Sequence, residues 1–400
     1  MSSQNKSPEL PEWAKAGADE YCDWMDKAMA PYPFKHPDEL EGYICLHQND
    51  YLRLSQRPEV REAKIQAIER YGNSYLASTI FSGGGGMEEH HAFRALLADA
   101  MQSEDAVLAS SGWAANVGLI EFLAKRGTPI YLDQRAHASL WSGAKLSLGR
   151  SIMVRHNDPE SLERRIQRDG AGIVCVDSYC SVDGSVIDVA AYVDVCERTG
   201  SVLVLDEAHS MGMVGHGAGG LAVEAGVAER VHFRTVSFSK ALGGHGGCIA
   251  ASRQLTWVLT HRAHSIVFSS AALPCDSAAH RTALSIARAE PRLGSHTLEM
   301  GALLRQELAQ RGIDTGPSAC QIVAVEFDSE QLACEFYQAL VRHGVITSVF
   351  VSPATPLGKG LVRFSTHSQL QPEEVVRAAV AAAAAMTELG IARAEKQKAA

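Results

Sequence analysis

The sequence predicts an α/β protein with a mostly parallel central sheet and a smaller C-terminal α+β unit. Six short apolar runs support the sheet, and helical stretches separate most of them; they lie at 106–110, 129–133, 172–178, 201–207, 231–238 and 247–252. Continuous apolar strands between helices are typical of a parallel sheet that is covered on both faces. Past residue 275 the order changes to long helices and three further strands, which indicates the second unit.

The helices follow from apolar periodicity. Residues 59–71 and 88–101 repeat apolar side chains at helical spacing, as Phe93 and Leu97 illustrate. A long helical stretch at 277–312 then precedes the C-terminal strands, which are predicted near 321–327, 345–351 and 361–366. The alanine-rich tail is helical by propensity.

These patterns divide the chain into three parts. Residues 1–45 form an N-terminal arm with one helix, which Trp13, Tyr21 and Trp24 anchor. A large domain covers 46–280, and a small C-terminal domain covers 281–400 together with part of the arm.

Composition narrows the function classes. The chain has 400 residues, of which 46% are hydrophobic. Its net charge of -9 argues against a nucleic-acid-binding surface spread over the protein. Its nine cysteines lack C-x-x-C spacing, so we expect reduced thiols and neither a disulfide framework nor a zinc site. The N-terminus is polar, and no apolar run reaches the ~18 residues of a membrane span. We therefore expect a cytoplasmic protein.

The chemistry should lie where the strands end, because open α/β sheets bind ligands beyond the carboxyl ends of their strands. Asp206 ends the run "SVLVLD", and His209 follows three residues later. Asp206 could be a helix cap or a solvated carboxylate. A D-E-A-H nucleotide box is disfavoured because the chain lacks a G-x-x-x-x-G-K-[ST] phosphate loop. The third interpretation pairs Asp206 with the pyridinium nitrogen of a pyridoxal cofactor, with Lys240 as its Schiff-base lysine.

The surroundings of Lys240 favour that third interpretation. The run "TVSFSKALGGHGG" at 235–247 places one lysine beside Ser237 and Ser239, and four glycines follow within seven positions. Glycines let the backbone approach a ligand closely, and the two hydroxyls can bind phosphate oxygens. Desolvation lowers the pKa of an unpaired lysine, which favours the nucleophilic amine. A lysine in a flexible glycine loop is the plainer alternative.

Three further segments follow strands. "SSGWAANVG" at 110–118 opens a helix, so the amides of Gly112 and Trp113 could hold a phosphate, although Ser111 could simply cap that helix. His137 lies in a polar loop, where an imidazole could stack on a pyridine ring. Ser181 occupies a similar position, where its hydroxyl could reach a phenolic oxygen.

Three other motifs lack their required context. "GHGAGG" at 215–220 fits G-x-G-x-x-G but does not directly follow a strand, so we interpret it as a turn-rich loop rather than a dinucleotide site. "SGGGGMEEHH" at 82–91 is not H-E-x-x-H, and no G-x-S-x-G elbow occurs. The four glycines at 83–86 indicate a mobile lid or an exposed linker.

Taken together, these residues resemble a family. Asp206, His209, Lys240, the "SGW" turn, "HASL" at 137–140 and "FSSAALP" at 268–274 look like the α-oxoamine synthases, which are fold-type I enzymes dependent on pyridoxal 5'-phosphate (PLP). The similarity runs from 48–55 to 361–368. Within the family, several segments look closest to the CqsA-like autoinducer synthases, which join a medium-chain acyl-CoA to a small amino acid. One segment departs from the family pattern: "STIFSGGGGMEEHH" stands where the family shapes the acyl-CoA end.

The resemblance implies roles for individual residues. Lys240 would bind PLP covalently, Asp206 would pair with the pyridine nitrogen and His137 would stack on the ring. His209 and Ser181 would lie near the phenolic oxygen.

The remaining implied roles concern the phosphate and the substrate. The phosphate would be held by Ser111, Gly112, Trp113 and Ser237, with Ser269 and Ser270 reaching it from the other subunit. Asn49 and Arg363 would hold the amino-acid carboxylate. A homodimer with its active site at the subunit interface is implied as well.

The implied reaction is a decarboxylative condensation of an acyl-CoA with a small amino acid, which gives an α-amino ketone. The product could be a quorum-sensing autoinducer precursor. Alternatives are another α-oxoamine synthase, such as 8-amino-7-oxononanoate synthase or 2-amino-3-ketobutyrate CoA ligase, or a fold-type I aminotransferase. A non-catalytic binding protein is a third class, which the complete set of lysine, aspartate, histidines and arginine disfavours.

Overall fold

The structure is a computed structural model that describes residues 11, 12, 14, 15, 40–74, 77–82 and 88–391. The predicted N-terminal arm with Trp13, Tyr21 and Trp24 lies largely outside these residues, and so does the glycine run at 83–86.

The strands of the described residues are β1 (Ile44–Cys45), β2 (Asp105–Ala109), β3 (Pro129–Asp133), β4 (Arg150–Val154), β5 (Ile173–Asp177), β6 (Val202–Asp206), β7 (Phe233–Ser237), β8 (Gly247–Ala251), β9 (Ile322–Phe327), β10 (Val345–Ile346), β11 (Ser348–Phe350) and β12 (Gly360–Ser365). All six strands predicted for the large sheet are confirmed as β2, β3 and β5 to β8.

The α-helices of the same residues are α1 (Pro58–Tyr71), α2 (Glu88–Ala100), α3 (Gly112–Leu123), α4 (Ala138–Leu146), α5 (Pro159–Asp169), α6 (Val189–Thr199), α7 (Leu221–Glu224), α8 (Arg253–Arg262), α9 (His264–Val267), α10 (Pro274–Ala289), α11 (Arg292–Gln310), α12 (Glu330–Arg342) and α13 (Pro372–Glu388). Short 3-10 helices occur at Leu54–Gln56, Thr79–Ser82, His216–Ala218 and Ala228–Arg230.

The large sheet has seven strands in the order β2-β8-β7-β6-β5-β3-β4. Only β8 runs antiparallel to its two neighbours, so the predicted mostly parallel sheet is confirmed. The sequence missed β4, because this edge strand exposes Arg150, Ser151 and Met153 and therefore lacks a continuous apolar run.

Strand register brings the predicted site residues to one edge of this sheet. Asp177 at the end of β5 pairs with Asp206 at the end of β6, and Asp206 pairs with Thr235 of β7. The carboxyl ends of three parallel strands therefore lie side by side, and Lys240 follows directly after β7.

The second unit is built on an antiparallel sheet of order β11-β12-β9, and the short β1 pairs with β10 in parallel. Its apolar core includes Phe336 and Phe364, and Ile44 and Leu46 from the region before the large sheet pack into the same core. The domain boundaries drawn from the sequence stay a prediction.

Two C-terminal elements were predicted as continuous and are not. The helix expected at 277–312 is two helices, α10 and α11, which are separated at Glu290 and Pro291 because the residue before a proline avoids the helical region. The strand expected at 345–351 is split at Thr347 into β10 and β11.

Two sequence-wide predictions can be checked against the described residues. None of the helices described is both long and apolar enough to cross a membrane. The eight cysteines in the described part of the chain are all free, in agreement with the predicted reduced thiols.

Candidate active site

Five ionisable side chains meet at the carboxyl edge of the large sheet. The group consists of Asp206, Lys240, Arg363, His137 and His209. The charges of Arg363 and Asp206 shift the pKa of Lys240. Asp206 and Lys240 shift the pKa of His137, and Lys240 and Arg363 shift that of His209. Arg363 comes from β12 of the second unit, so the site lies where the two units meet. The structure therefore brings together residues that are up to 226 positions apart in the chain (363 − 137 = 226).

Lys240 is a half-buried amine. Burial is the largest cause that lowers its pKa, the positive charge of Arg363 adds to it and Asp206 opposes both, and the net result is a pKa lowered from 10.5 to about 8. A lysine with this pKa has a substantial neutral fraction near pH 8, which is the nucleophilic form expected from the sequence.

Asp206 is buried and held by two donors. Its Oδ1 accepts a 2.9 Å hydrogen bond from the backbone N–H of Ala208, and its Oδ2 accepts a 2.6 Å bond from Nδ2 of Asn116. Asn116 is 1% exposed and also bonds Ser139 and Thr235, at 2.8 and 2.6 Å. The carboxylate is therefore fixed in orientation by a buried amide on α3, which excludes the solvated-aspartate alternative.

His137 caps α4 and contacts the site through its ring. Its Nδ1 lies 2.7 Å from Oγ of Ser139, and its backbone N–H donates a 3.0 Å bond to Oδ2 of Asp177. The ring of Trp113 meets the His137 ring edge-on at 5.9 Å between centroids. Desolvation lowers the pKa of His137, the negative charge of Asp206 opposes this and the positive charge of Lys240 adds to it; the net lowering favours the neutral imidazole.

His209 is buried behind Asp206 on the chain that follows β6. Its Nδ1 lies 2.7 Å from the hydroxyl of Tyr51, and its carbonyl accepts a 2.8 Å bond from Nε2 of Gln321. Burial and the neighbouring cations, Lys240 first, hold its pKa well below 6.5. His209 is therefore a neutral imidazole at physiological pH.

Arg363 and Asn49, the two residues that the family resemblance implied for the substrate carboxylate, lie in contact with each other. NH2 of Arg363 donates to Oδ1 of Asn49 at 3.1 Å, NH1 donates to the carbonyl of Ser181 at 2.6 Å, and the guanidinium carbon lies 4.6 Å from the centre of the Phe350 ring. The side chain is 5% exposed, and its Nε has no hydrogen-bond partner among the described residues. A buried guanidinium with an unused N–H and no carboxylate partner in the described chain suits an anionic ligand.

The start of α3 lies unusually close to the end of β7. A Cβ on Gly112 would lie 2.7 Å from Cβ of Ser237, and a Cβ on Gly247 would lie 2.5 Å from the backbone nitrogen of Gly112. Ser111 caps α3 by accepting a 3.0 Å bond from the N–H of Ala114, which confirms the capping alternative for its side chain. The backbone N–H groups of this first helical turn remain suited to an anion.

The serines predicted around the phosphate have different environments. Oγ of Ser237 lies 2.8 Å from Oγ of Ser239 at the end of β7. Ser269 instead donates a 2.7 Å bond to the carbonyl of Ser265, in its own helical region. Ser270 is exposed and lines a cavity of about 220 Å³ together with Ser110. Ser181 contributes its carbonyl to Arg363, and its predicted contact with a phenolic oxygen stays a prediction.

Sequence reasoning missed four residues of the site. They are all buried polar side chains within or beside apolar runs: Tyr51, Asn116, Asp177 and Thr235. Burial raises the pKa of Asp177 well above its usual value, and the charge of Asp206 raises it further, so the environment favours the neutral acid form of this carboxyl. A polar residue inside an apolar helix, such as Asn116 in "WAANVGL", is a signal that could have found one of them.

The residues present fit PLP. The crowded contact between Gly112 and Ser237 leaves bare backbone amides for a phosphate, and the fixed Asp206 carboxylate offers a partner for a protonated ring nitrogen. Lys240 offers an amine of lowered pKa for the aldehyde. "GHGAGG" at 215–220 is a loop around the 3-10 helix His216–Ala218, as predicted, and takes no part in this site.

Comparison with known proteins agrees with this fit. Residues 41–381 match the family described as aminotransferase class I and II. The chain is 33% identical over 353 residues to 8-amino-7-oxononanoate synthase of Geobacter sulfurreducens. This match covers 87% of this chain and 90% of the relative. The chain is 29% identical over 379 residues to the CAI-1 autoinducer synthase of Vibrio campbellii, which covers 94% and 95%.

A solved structure shows the same fold. The structure of Sphingomonas wittichii serine palmitoyltransferase superposes with a TM-score of 0.87 at 26% identity, over 96% of this chain and 100% of that chain. This chain therefore has the fold-type I architecture, with the mostly parallel large sheet and the smaller unit described above. The chain therefore belongs to the class I and II aminotransferase family and, within it, to the PLP-dependent α-oxoamine synthases.

Proposed function

We propose that this protein condenses an acyl-CoA with a small α-amino acid, with loss of carbon dioxide and coenzyme A, to give an α-amino ketone. The proposal rests on the presence of two residues in one site. Lys240 is an amine of lowered pKa, and Arg363 is a buried arginine whose Nε has no partner within the described chain. The Lys240 amine suits proton transfer and the Arg363 guanidinium suits binding of a carboxylate, and the proposed reaction needs both.

The chain's own groups would hold PLP as the sequence implied. Lys240 would bind its aldehyde carbon, Asp206 would face its ring nitrogen, and the amides at the start of α3 would bind its phosphate. When bound, PLP supplies an electron sink that stabilises negative charge on the substrate's α-carbon. The Asn116 hydrogen bond keeps the Asp206 carboxylate directed at the edge of the sheet without any rearrangement during the reaction.

Arg363 and Asn49 would bind and orient the substrate carboxylate. The Arg363 guanidinium is fixed by Asn49, by the carbonyl of Ser181 and by the Phe350 ring, so it would lose little side-chain freedom on binding. A fixed carboxylate also fixes the α-carbon relative to Lys240, which is the positioning that proton transfer requires.

Lys240 would then act as the base. Its free amine, with a pKa of about 8, would take the α-proton near neutral pH and later return a proton to the product. In overall balance, the new carbon–carbon bond forms between the α-carbon and the acyl carbonyl, the thioester bond breaks, and coenzyme A leaves as the thiol. The substrate's carboxyl group leaves as carbon dioxide, and a proton replaces it.

We also propose a homodimer with Ser269 and Ser270 facing the partner subunit's site, in the cytoplasm. The large exposed side chain of Phe268, 81% exposed, precedes these serines and supports an interface there. Sedimentation of the purified protein tests it: a 43.0 kDa species at micromolar concentration would contradict the dimer.

The test of the function is thiol release by PLP-loaded protein over a grid of small amino acids and acyl-CoAs of increasing length. We expect release only when both substrates are present and none with Lys240→Ala. A maximum at medium-chain acyl-CoA would support the autoinducer branch, which similarity to the Vibrio campbellii enzyme over 94% of the chain favours.

A second candidate is 8-amino-7-oxononanoate synthase, which the 33% identity to the Geobacter sulfurreducens enzyme favours. A maximum at pimeloyl-CoA would support it. Keto-acid formation without any acyl thioester would contradict both candidates and indicate transamination.

A further inference from the structure

Tyr51 is a fully buried tyrosine that ends at the site. Its ring lies in the apolar core of the large unit, and its backbone carbonyl is held by the N–H of Ser368 at 2.8 Å. Its hydroxyl lies 2.7 Å from Nδ1 of His209 and 3.2 Å from Oδ1 of Asn49. Neither the sequence motifs nor the proposed reaction gives this hydroxyl a role.

The hydroxyl has one proton and two neighbours that could accept it. Oδ1 of Asn49 already accepts a 3.1 Å hydrogen bond from NH2 of Arg363. Its distance to the Tyr51 hydroxyl is 3.2 Å. The contact with Nδ1 of His209, at 2.7 Å, is the shorter of these two contacts of the hydroxyl. The proton is therefore best placed on the short bond to His209.

The direction of the Tyr51 hydrogen bond determines the tautomer of His209, because a neutral imidazole has one N–H and one bare nitrogen. Lys240, Arg363 and His137 are the charged or ionisable groups that act on it, and all three oppose a second proton. If Nδ1 accepts from Tyr51, the only imidazole proton lies on Nε2, which has no hydrogen-bond partner among the described residues.

We propose that Tyr51 is a positioning residue that fixes the tautomer of His209, with Nδ1 as acceptor and Nε2–H as the donor offered to the bound cofactor's phenolic oxygen. An N–H donor at that place favours the ionised oxygen, whereas a bare nitrogen would repel it. The inference rests on PLP binding in this site but not on the identity of the acyl-CoA or the amino acid.

The direct test is nitrogen NMR of PLP-loaded protein labelled with 15N-histidine, with His209→Asn to assign the resonances. We expect the bare-nitrogen signal at Nδ1 and the protonated signal at Nε2. A proton on Nδ1 would overturn the proposal, whatever the protein's activity.

A second test uses the absorbance of bound PLP, whose phenolic oxygen titrates with pH. In Tyr51→Phe the proton donated to Nδ1 is lost, so we expect the midpoint of this titration to rise by about one pH unit, the equivalent of one hydrogen bond. The control is Tyr131→Phe, which removes another fully buried hydroxyl, one that donates to the carbonyl of Gly170 at 2.6 Å. It should leave the midpoint unchanged.

The outcomes separate this inference from the proposed function. An unshifted midpoint in Tyr51→Phe would overturn the role of Tyr51 even if thiol release is normal in the parent protein. A shifted midpoint in a protein that releases no thiol would support the role of Tyr51 and contradict the condensation.

Discussion

Nδ2 of Asn116 lies 2.6 Å from Oδ2 of Asp206, and this hydrogen bond joins the first turns of α3 to the end of β6. The same amide accepts from the hydroxyl of Thr235 through its oxygen and donates to Ser139, so its bonds span two strands and two helices. Asn116 thus links α3, at whose start we propose that the phosphate binds, to Asp206, which we propose faces the ring nitrogen.

Asn116→Ala should weaken both the fold and the cofactor site. The hydroxyl of Thr235 would lose its acceptor in a fully buried position, so we expect the free energy of unfolding to fall by about 1–3 kcal/mol. The dissociation constant of PLP should rise, because Asp206 would keep only one of its two donors. Urea unfolding of the apoprotein and a fluorescence titration with PLP measure the two effects.

The control for Asn116 is Asn73→Ala, which removes an exposed amide. It should change neither quantity measurably. Equal PLP affinity in Asn116→Ala and the parent protein would show that Asp206 does not depend on this bond.

The pKa of Lys240 predicts how PLP binding depends on pH. Only the neutral amine attacks the aldehyde, so the rate of covalent PLP binding should increase as pH rises and level off above the folded-state pKa of about 8. Stopped-flow absorbance of apoprotein mixed with PLP measures this rate. A midpoint near the ordinary lysine value of 10.5 would mean that the amine is solvated rather than buried.

A buried ion pair supports the sheet behind the site. Glu207, the residue after Asp206, pairs with Arg234 of β7, and both side chains are almost fully buried. Glu207→Gln should leave the arginine charge without its partner and lower the free energy of unfolding by about 3–5 kcal/mol. Denaturant unfolding tests this against Glu163→Gln, which breaks the exposed pair with Arg198 and should cost less than about 1 kcal/mol. Equal losses in the two variants would contradict the structural role of the pair.

Gly112→Ala tests the bare backbone at the start of α3. The new methyl group would lie 2.7 Å from Cβ of Ser237, so α3 must move away from β7 and the affinity for PLP should fall at least tenfold. Gly294→Ala is the matched control, because its Cβ would lie 2.3 Å from the carbonyl of Met213. The control should lose stability but keep its PLP affinity, and a similar loss of affinity in both variants would contradict a local effect.

The sequence was informative wherever chemistry follows a strand. Asp206 ends an apolar run, and His209 and Lys240 stand in the polar stretches that follow such runs; the parallel register of β5, β6 and β7 brings these chain segments together. Arg363 was found only through family resemblance, because nothing local distinguishes an arginine on a C-terminal strand from a surface residue.

The missed features have physical causes. Tyr51 and Asn116 act through partners 158 and 90 positions away, and no pattern along the chain encodes such contacts. Asp177 resembles any other polar residue at a strand end until register places it beside Asp206. The edge strand β4 buries only Ile152 and Val154, so it lacks the continuous apolar run by which the other strands were predicted.

The most direct test of the condensation follows the carboxyl carbon of the amino acid. PLP-loaded protein would be given the acyl-CoA that releases thiol fastest and an amino acid labelled at its carboxyl carbon. We predict labelled carbon dioxide and free thiol in a one-to-one ratio, and neither product with Lys240→Ala. Thiol release with the label retained in the product would contradict the decarboxylative condensation.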